Sequence, residues 1–337
     1  MSTPNPTASV NRSTREITFG QAVNEAIAEE MRRDPTVFII GEDVAEAGTP
    51  FKVLSGLVKE FGTDRVIDSP ISEAGITGVG VGAAMTGMRP IVDIMFGDFL
   101  TLTMDQLVNQ AAKIHYMSGG KLKVPMVLRT TLGAARRSAA QHSQSLHAWL
   151  SHIPGLKVVV PATPYDAKGL LKSAIRDDNP VVFIEHRGLY WTKGEVAAGE
   201  TVVPIGRASI VRQGEQITIV ALSSMIAPAL AAATELQSQG ISVEVIDPRT
   251  IAPLDLETIA NSVKKTGRMI VAHEAVEHGG IGAEIIARVQ HEAFHYLDSP
   301  ILRIAAPFAP VPASPTLEKE FLPNKEKLIA AVQAAVR

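Results

Sequence analysis

The chain has 337 residues, of which 46% are hydrophobic and 20% charged, a globular composition long enough for two ordinary domains. Its formal charge of -3 and its lack of a long basic block argue against nucleic acid or an anionic membrane as the main partner. The absence of cysteine excludes disulfides, thiolate metal sites and a cysteine nucleophile, and it fits a reducing cytoplasm.

The elements predicted along the chain alternate between helices and short apolar strands. Residues 1–15 are rich in Ser, Thr, Asn and Pro, so we expect a disordered tail there. Thr18 and Gln21 form a capping-box pattern that predicts a helix ending near Arg33. Strands are predicted at 37–40, 91–96, 124–128, 158–160 and 181–184, and helices at 103–116 and 165–175. This rhythm predicts an α/β fold with mostly parallel sheets covered on both faces.

A break in this rhythm predicts a domain boundary. After Arg187 the chain turns polar and contains Gly194, Gly199 and Pro204. The alternation then resumes, with strands at 217–222, 243–246, 269–272 and 302–305, helices at 226–239, 281–296 and 325–336, and a Pro-rich loop at 307–323. We therefore expect a tail at 1–15 and two α/β domains, at 16–190 and 205–337, joined by a linker at 191–204. No stretch approaches the roughly twenty apolar residues that a membrane-spanning helix requires.

Glu73 is the leading catalytic candidate because it precedes the closely spaced glycines Gly78, Gly80 and Gly82. This Glu-x4-Gly-Φ-x-x-Gly pattern resembles the cofactor-activating motif of thiamine diphosphate enzymes. Burial among apolar groups favours the protonated form of a carboxyl group, so such a residue can share a proton with the aminopyrimidine ring of that cofactor. Two alternatives stay open from the residues alone. A dinucleotide fingerprint fits the glycines but lacks a strand directly before it, and a helix of small residues would let another helix approach closely.

Two further positions suit chemistry because they follow predicted strands or loops. Glu42 lies in Gly41-Glu42-Asp43, directly after the first buried strand, at the carboxyl edge where open parallel sheets bind ligands. The alternative there is a solvated acidic turn. His142 follows a basic loop of small residues and is predicted at a loop-to-helix junction, where side chains often reach a cleft. The alternative is a surface or capping histidine.

Two motifs contain the types of residue that bind metal ions. His291 and His295 form H-E-x-x-H on a predicted helix, which is a zinc-hydrolase pattern, although no third ligand follows and the helix soon ends. Coincidence on a surface helix is the favoured interpretation. The turn at 177–180 offers carbonyl and carboxylate oxygens, which a hard cation prefers, but the turn needs no ion to form.

Seven segments in chain order together resemble one family, the beta subunit of the thiamine diphosphate-dependent 2-oxo acid dehydrogenase decarboxylating component. They are 41–43, 70–73, 82–90, 116–120, 140–144, 154–159 and 166–171. The resemblance implies a transketolase-like pyrimidine-binding domain, a transketolase C-terminal domain and an α2β2 heterotetramer. Its alpha subunit would bind the diphosphate and Mg2+, consistent with the lack here of Gly-Asp-Gly followed by Asn. In some members a potassium ion is held by carbonyls that match those of Ala174, Asp177 and Asn179.

The resemblance also implies roles for individual residues. Glu73 would hydrogen-bond nitrogen N1′ of the aminopyrimidine ring, and Met95 and Phe99 would contact that ring. His142 would face the substrate channel and assist transfer of the acyl group to a lipoyl arm. Glu42 would belong to an acidic tunnel between paired sites.

The reaction that the resemblance implies is oxidative decarboxylation of a 2-oxo acid, with the lipoyl-bearing acyltransferase core as a partner. Segments 129–134 and 144–149 are closer to pyruvate and acetoin members than to branched-chain ones, so we expect pyruvate, with acetoin as the alternative. Arg136 and Arg137 depart from the small residues of typical pyruvate members. Two functions of other classes remain open, namely a zinc hydrolase and a non-catalytic scaffold subunit.

Overall fold

The computed structural model describes residues 14–134 and 137–337. Most of the expected tail lies outside these ranges, but Thr14 and Arg15 already belong to the first strand. The strands are β1 Thr14–Thr18, β2 Val37–Gly41, β3 Val66–Asp68, β4 Arg89–Ile94, β5 Val127–Leu132, β6 Lys157–Val159, β7 Val181–His186, β8 Lys193–Ala197, β9 Ser209–Arg212, β10 Ile217–Ala221, β11 Val243–Asp247, β12 Thr250–Ala252, β13 Met269–Val276 and β14 Leu302–Ala306. The α-helices are α1 Phe19–Arg33, α2 Leu57–Phe61, α3 Glu73–Met85, α4 Leu100–Met104, α5 Ala112–Met117, α6 His147–Ser151, α7 Pro164–Arg176, α8 Ile226–Gln237, α9 Leu256–Thr266, α10 Ile281–Ala293, α11 Pro315–Phe321 and α12 Lys325–Ala335.

The first sheet has the strand order β12-β6-β7-β5-β4-β2-β3. Neighbouring strands are parallel except at one edge, where β12 runs antiparallel to β6. Every residue of β2, β5 and β7 is buried, as expected for parallel strands covered on both faces. The capping box of α1 is confirmed, because the Gln21 amide donates to the Thr18 hydroxyl and the Thr18 amide donates to the Gln21 side chain.

The second sheet has the order β14-β13-β10-β11-β9, with only β9 antiparallel to its neighbour. A separate two-stranded ribbon pairs β1 with β8. The segment expected to be a linker at 191–204 thus contains a strand, and that strand holds the start of the described chain.

One hydrophobic cluster spans both sheets. Leu128 of β5, Leu222 after β10 and Ile246 of β11 are buried in the same cluster. In addition, β12 follows the second sheet's β11 in sequence yet extends the first sheet by pairing with β6. The two units are therefore joined by core packing and by a strand that crosses the expected boundary.

Some elements differ from the sequence predictions for identifiable reasons. β5 begins at Val127 rather than at 124, because Pro125 has no amide hydrogen to donate to a neighbouring strand. The expected Pro-rich loop contains α11, which starts with Pro315 at its first position, where a missing amide hydrogen is tolerated. The helix expected at 103–116 is a continuous run of α4, a π-helical segment over Asp105–Ala111, and α5.

Asp247, at the end of β11, is a fully buried carboxyl group at the junction of the two units. One of its oxygens accepts the Arg249 amide at 2.8 Å, and the other has no partner among the described residues. The Arg249 side chain pairs instead with Asp166 of α7, at 2.7 Å. Burial, reinforced by the charge of Asp166, raises the pKa of Asp247 to about 8.

We expect Asp247→Asn to gain stability relative to the unsubstituted chain as pH rises. The unfolded carboxyl group ionises near pH ~4, whereas the folded group keeps its proton until about pH 8. The unsubstituted chain therefore loses stability across this interval, and the variant, which cannot ionise, does not. Urea unfolding of both proteins at several pH values measures the difference, with exposed Asp64→Asn as the control. A difference that is constant or shrinks with rising pH would contradict the prediction.

Candidate functional site

The candidate site lies at the carboxyl edge of the first sheet. Because β2, β3, β4, β5 and β7 run parallel, the segments that follow them emerge at one edge. These segments carry Glu42 after β2, Glu73 after β3, residues 95–99 after β4, the loop 133–146 after β5, and Arg187 after β7. The predicted catalytic and ring-contacting residues therefore share this edge.

Glu73 is the first residue of α3, and it is 6% exposed. Within residues 14–134 and 137–337, its carboxylate has no hydrogen-bond or ion-pair partner. The start of a helix favours negative charge, so α3 offsets part of the cost of burial. Buried polar groups are nearly always hydrogen-bonded, and the free oxygens of Glu73 are thus suited to a ligand that can share a proton.

Glu42 interacts electrostatically with Glu73. Burial raises the pKa of Glu42, and the charges of Glu73, Asp43 and Asp93 raise it further. Glu42 therefore retains its proton to a higher pH than an isolated glutamate does.

His142 belongs to an aromatic group at the same edge. Its ring lies edge-to-face against Phe96 and Phe99, with ring centroids 4.7 and 5.4 Å away. Phe96 also contacts Phe99 and Phe51, at 5.8 and 5.7 Å between centroids. The structure thus brings the predicted residues His142 and Phe99 into direct contact, and both also contact Phe96, a residue not identified from the sequence. Phe96 could have been found from the sequence by its position one helical turn before Phe99.

Two buried charged groups hold the segment that carries His142. The Asp98 carboxylate accepts the backbone and side-chain amides of Gln144, at 3.2 and 2.9 Å. Arg187 donates to the Ser143 hydroxyl at 3.0 Å, and its guanidinium carbon lies 5.4 Å from the centroid of the Phe96 ring. Sequence reasoning missed Arg187 because Ser143 is 44 residues away and no local motif links them.

A buried ionic cluster lies beneath this edge. Arg129 of β5 pairs with Asp93 of β4 and, through two nitrogens, with Glu185 of β7. Burial alone would lower the pKa of Arg129, but the charges of Glu185 and Asp93 raise it well above its usual value. Burial raises the pKa of both carboxyl groups, and Arg129 opposes that effect. The cluster ties together the three strands that precede the aromatic group, the His142 loop and Arg187.

The turn expected to hold potassium lies at the opposite edge, just before β7. The carbonyls of Ile175 and Asp177 each accept a hydrogen bond from Arg89 at 3.0 Å. The Ala174 carbonyl accepts the Asp177 amide at 3.2 Å, and the Asn179 amide donates to the Asp177 side chain at 2.9 Å. Of the three predicted carbonyls, that of Asp177 thus already accepts a hydrogen bond from the Arg89 guanidinium.

His291 and His295 do not share a helical face. α10 ends at Ala293, and His295 follows in a 3-10 turn, with its ring centroid 5.3 Å from that of Phe294. Among the residues that the structure describes, no group of three or more His, Asp or Glu side chains is placed to hold a metal ion. The helical geometry that the zinc-hydrolase hypothesis requires is therefore missing.

Comparison with known proteins gives the family. Residues 15–192 match the family described as Transketolase, pyrimidine binding domain, and residues 206–328 match Transketolase, C-terminal domain. The pyruvate dehydrogenase E1 component subunit beta of Rhizobium meliloti (strain 1021) is 52% identical over 319 residues, which cover 94% of this chain and 69% of that protein. The chain belongs to the transketolase-like family of dehydrogenase beta subunits. Its expected two-domain α/β fold is confirmed.

Other similar proteins extend the comparison for this beta subunit. The acetoin:2,6-dichlorophenolindophenol oxidoreductase subunit beta of Bacillus subtilis (strain 168) is 48% identical over 328 residues, covering 94% of this chain and 96% of that protein. A split gene transketolase, solved as an inactive beta4 tetramer, has a TM-score of 0.77 at 22% identity and covers 95% of this chain and 98% of its own. That structural likeness shows the fold alone. In the described part of this beta subunit, no helix has the length and apolar character needed to cross a membrane.

We expect Phe96→Ala to destabilise this beta subunit by about 1–3 kcal/mol, because it removes three edge-to-face contacts and the cation-π contact of Arg187. Urea unfolding measures the change. Phe294→Ala serves as the control, since Phe294 is 61% exposed. Equal effects of the two substitutions would show that the aromatic group adds nothing to stability.

Proposed function

We propose that this chain is the beta subunit of a pyruvate dehydrogenase E1 component, which decarboxylates pyruvate and transfers the acyl group to the lipoyl arm of an acyltransferase. The observation that carries the proposal is Glu73, a buried carboxylate without a protein partner at the carboxyl edge of a parallel sheet. The 52% identity to a beta subunit of that name supports the choice of substrate.

The residues at this edge fit the aminopyrimidine end of thiamine diphosphate. A flat heteroaromatic ring with basic nitrogens calls for apolar surroundings and one carboxyl group, and Met95, Phe99 and Glu73 are of these types. When bound, thiamine diphosphate supplies a carbon nucleophile and an electron sink for decarboxylation of a 2-oxo acid. Met95 and Phe99 would hold the ring, and Glu73 would share a proton with one of its nitrogens.

Glu73, Glu42 and His142 are the groups of this chain that would hold or share a proton at this edge. Glu73 has no competing hydrogen-bond donor among the described residues, so its oxygens are free for a ligand. The pKa of Glu42 is raised by burial and by the nearby charge of Glu73, so Glu42 can hold a proton close to Glu73. His142 presents an imidazole, held by Phe96 and Phe99, which can carry a proton during acyl transfer.

An exposed face of α3 favours a partner subunit. A side chain at Gly82 would meet nothing within 4 Å, Val79 of the same helix is 54% exposed, and Ile71, two residues before the helix, is 82% exposed. Small and apolar residues exposed together are typical of surfaces that assembly buries. We infer that this face contacts an alpha subunit in an α2β2 complex. That subunit would also supply the Mg2+ and diphosphate ligands, whose Gly-Asp-Gly and Asn motif this sequence lacks.

We expect Glu73→Gln to lower turnover by on the order of 100-fold or more, because an amide cannot exchange the proton that the carboxyl group shares. The assay is dye-linked reduction with pyruvate by the chain co-expressed with its alpha subunit, with thiamine diphosphate and magnesium. Exposed Glu292→Gln is the matched control. Unchanged turnover in Glu73→Gln, with an active unsubstituted complex, would favour a scaffold role for this chain.

Acetoin is the second candidate substrate, because a relative that is 48% identical is named for it. Offering pyruvate, acetoin and branched-chain 2-oxo acids to the same complex ranks them by kcat/KM. We expect pyruvate to rank first. A higher value for acetoin would reassign the substrate and leave the role of Glu73 unchanged, whereas inactivity of a properly assembled complex with all of them would contradict the proposed function.

A further inference from the structure

Glu274 of β13 connects the second sheet to the loop that carries His142. Its carboxylate accepts hydrogen bonds from His186 Nε2 at 2.8 Å, from the Ser224 hydroxyl at 2.9 Å and from the Ala134 amide. The Glu274 side chain is only 10% exposed. Its three donors come from the end of β7, from the segment after β10 and from the first residues of the loop.

These contacts require the backbone at the start of the loop to lie close to the side chains of His186 and Glu274. Gly133 has a φ of +92°, and a Cβ there would lie 2.4 Å from His186 Nε2 and 2.9 Å from Glu274 Oε1. Only glycine both adopts this positive φ readily and leaves room for these two side-chain atoms. The Gly133 amide donates to the Gln144 carbonyl at 3.2 Å, which closes the base of the loop around His142.

The environment of Glu274 favours its ionised form. Burial opposes ionisation, but the charge of His186 and the hydrogen bonds from His186, Ala134 and Ser224 hold the pKa of Glu274 below its usual value. Hydrogen bonds to a charged acceptor are stronger than those between neutral groups. The Ala134 amide is thus held by a charge-assisted contact.

We propose that Glu274 is a positioning residue through which the second domain holds the base of loop 133–146 and sets the place of His142. The opposite end of this loop is fixed from within the first domain, by Asp98 on Gln144 and Arg187 on Ser143. Glu274 supplies a charge-assisted hydrogen bond to the loop from the other domain. The catalytic consequence rests on the proposed function, but the positioning itself does not.

Hydrogen exchange on the full chain tests the positioning directly. We expect Glu274→Ala to speed exchange of the amides of Ala134 and of residues 137–146 by roughly tenfold or more, because a charge-assisted hydrogen bond is lost. Glu274→Gln should give a smaller increase, since its amide oxygen can still accept the Ala134 amide. The control is Glu277→Gln, three residues further on, whose side chain is 61% exposed. It should leave exchange in the loop unchanged.

Kinetics of the complex with the alpha subunit provide the second measurement. We expect Glu274→Gln to lower kcat more than it raises KM for pyruvate, since a misplaced His142 affects the reacting geometry rather than initial binding. The Glu277→Gln complex should keep both constants.

The possible outcomes distinguish the positioning role of Glu274 from the proposed function. A folded Glu274→Ala chain whose loop exchanges at the unsubstituted rate would overturn the positioning role. If that variant does not fold, Glu274→Gln and Ser224→Ala decide in its place, and unchanged loop exchange in both would overturn it equally. An inactive unsubstituted complex would refute the proposed function alone, because the exchange experiment needs no turnover.

Discussion

The buried guanidinium of Arg129 is the constraint on which the candidate site depends. It lies at the centre of the first sheet and is shared by carboxylates from both neighbouring strands, Asp93 and Glu185. Removing one partner of a buried ion pair commonly costs about 3–5 kcal/mol, because a charge is left without compensation. If β4 or β7 shifted in register relative to β5, a buried charge would lose its partner. The register of these strands is therefore fixed electrostatically as well as by packing, and the segments after them start from defined positions.

Charge is distributed unequally between the two edges of this sheet. At the amino edge, Arg89 bonds two backbone carbonyls and also pairs with Asp178 at 2.6 Å. At the carboxyl edge, Glu42 and Glu73 interact electrostatically, and among the described residues no cation is close enough to form an ion pair with either. Among the described residues, acidic groups without a cationic partner thus lie at the edge where open parallel sheets bind ligands, and such sites commonly trade stability for activity.

Local sequence patterns predicted those features whose causes are local. The capping box of α1, the alternation of strands and helices, and the position of Glu73 before a glycine run all depend on neighbours within a few residues. Arg187 and Glu274 could not be found in this way, because their partners lie 44, 88 and 140 residues away along the chain. The strand β12 is also beyond such reasoning, since three residues are too few to show a period.

The exchange of β12 across the expected boundary limits how this protein can move. Opening the two domains like a clamshell about 191–204 would detach β12 from β6, break the bond from the Val160 amide to the Arg249 carbonyl, and expose the shared core. Such a motion costs as much as partial unfolding. The two domains form one mechanical block, so any movement that admits a ligand falls to the loops at the carboxyl edge.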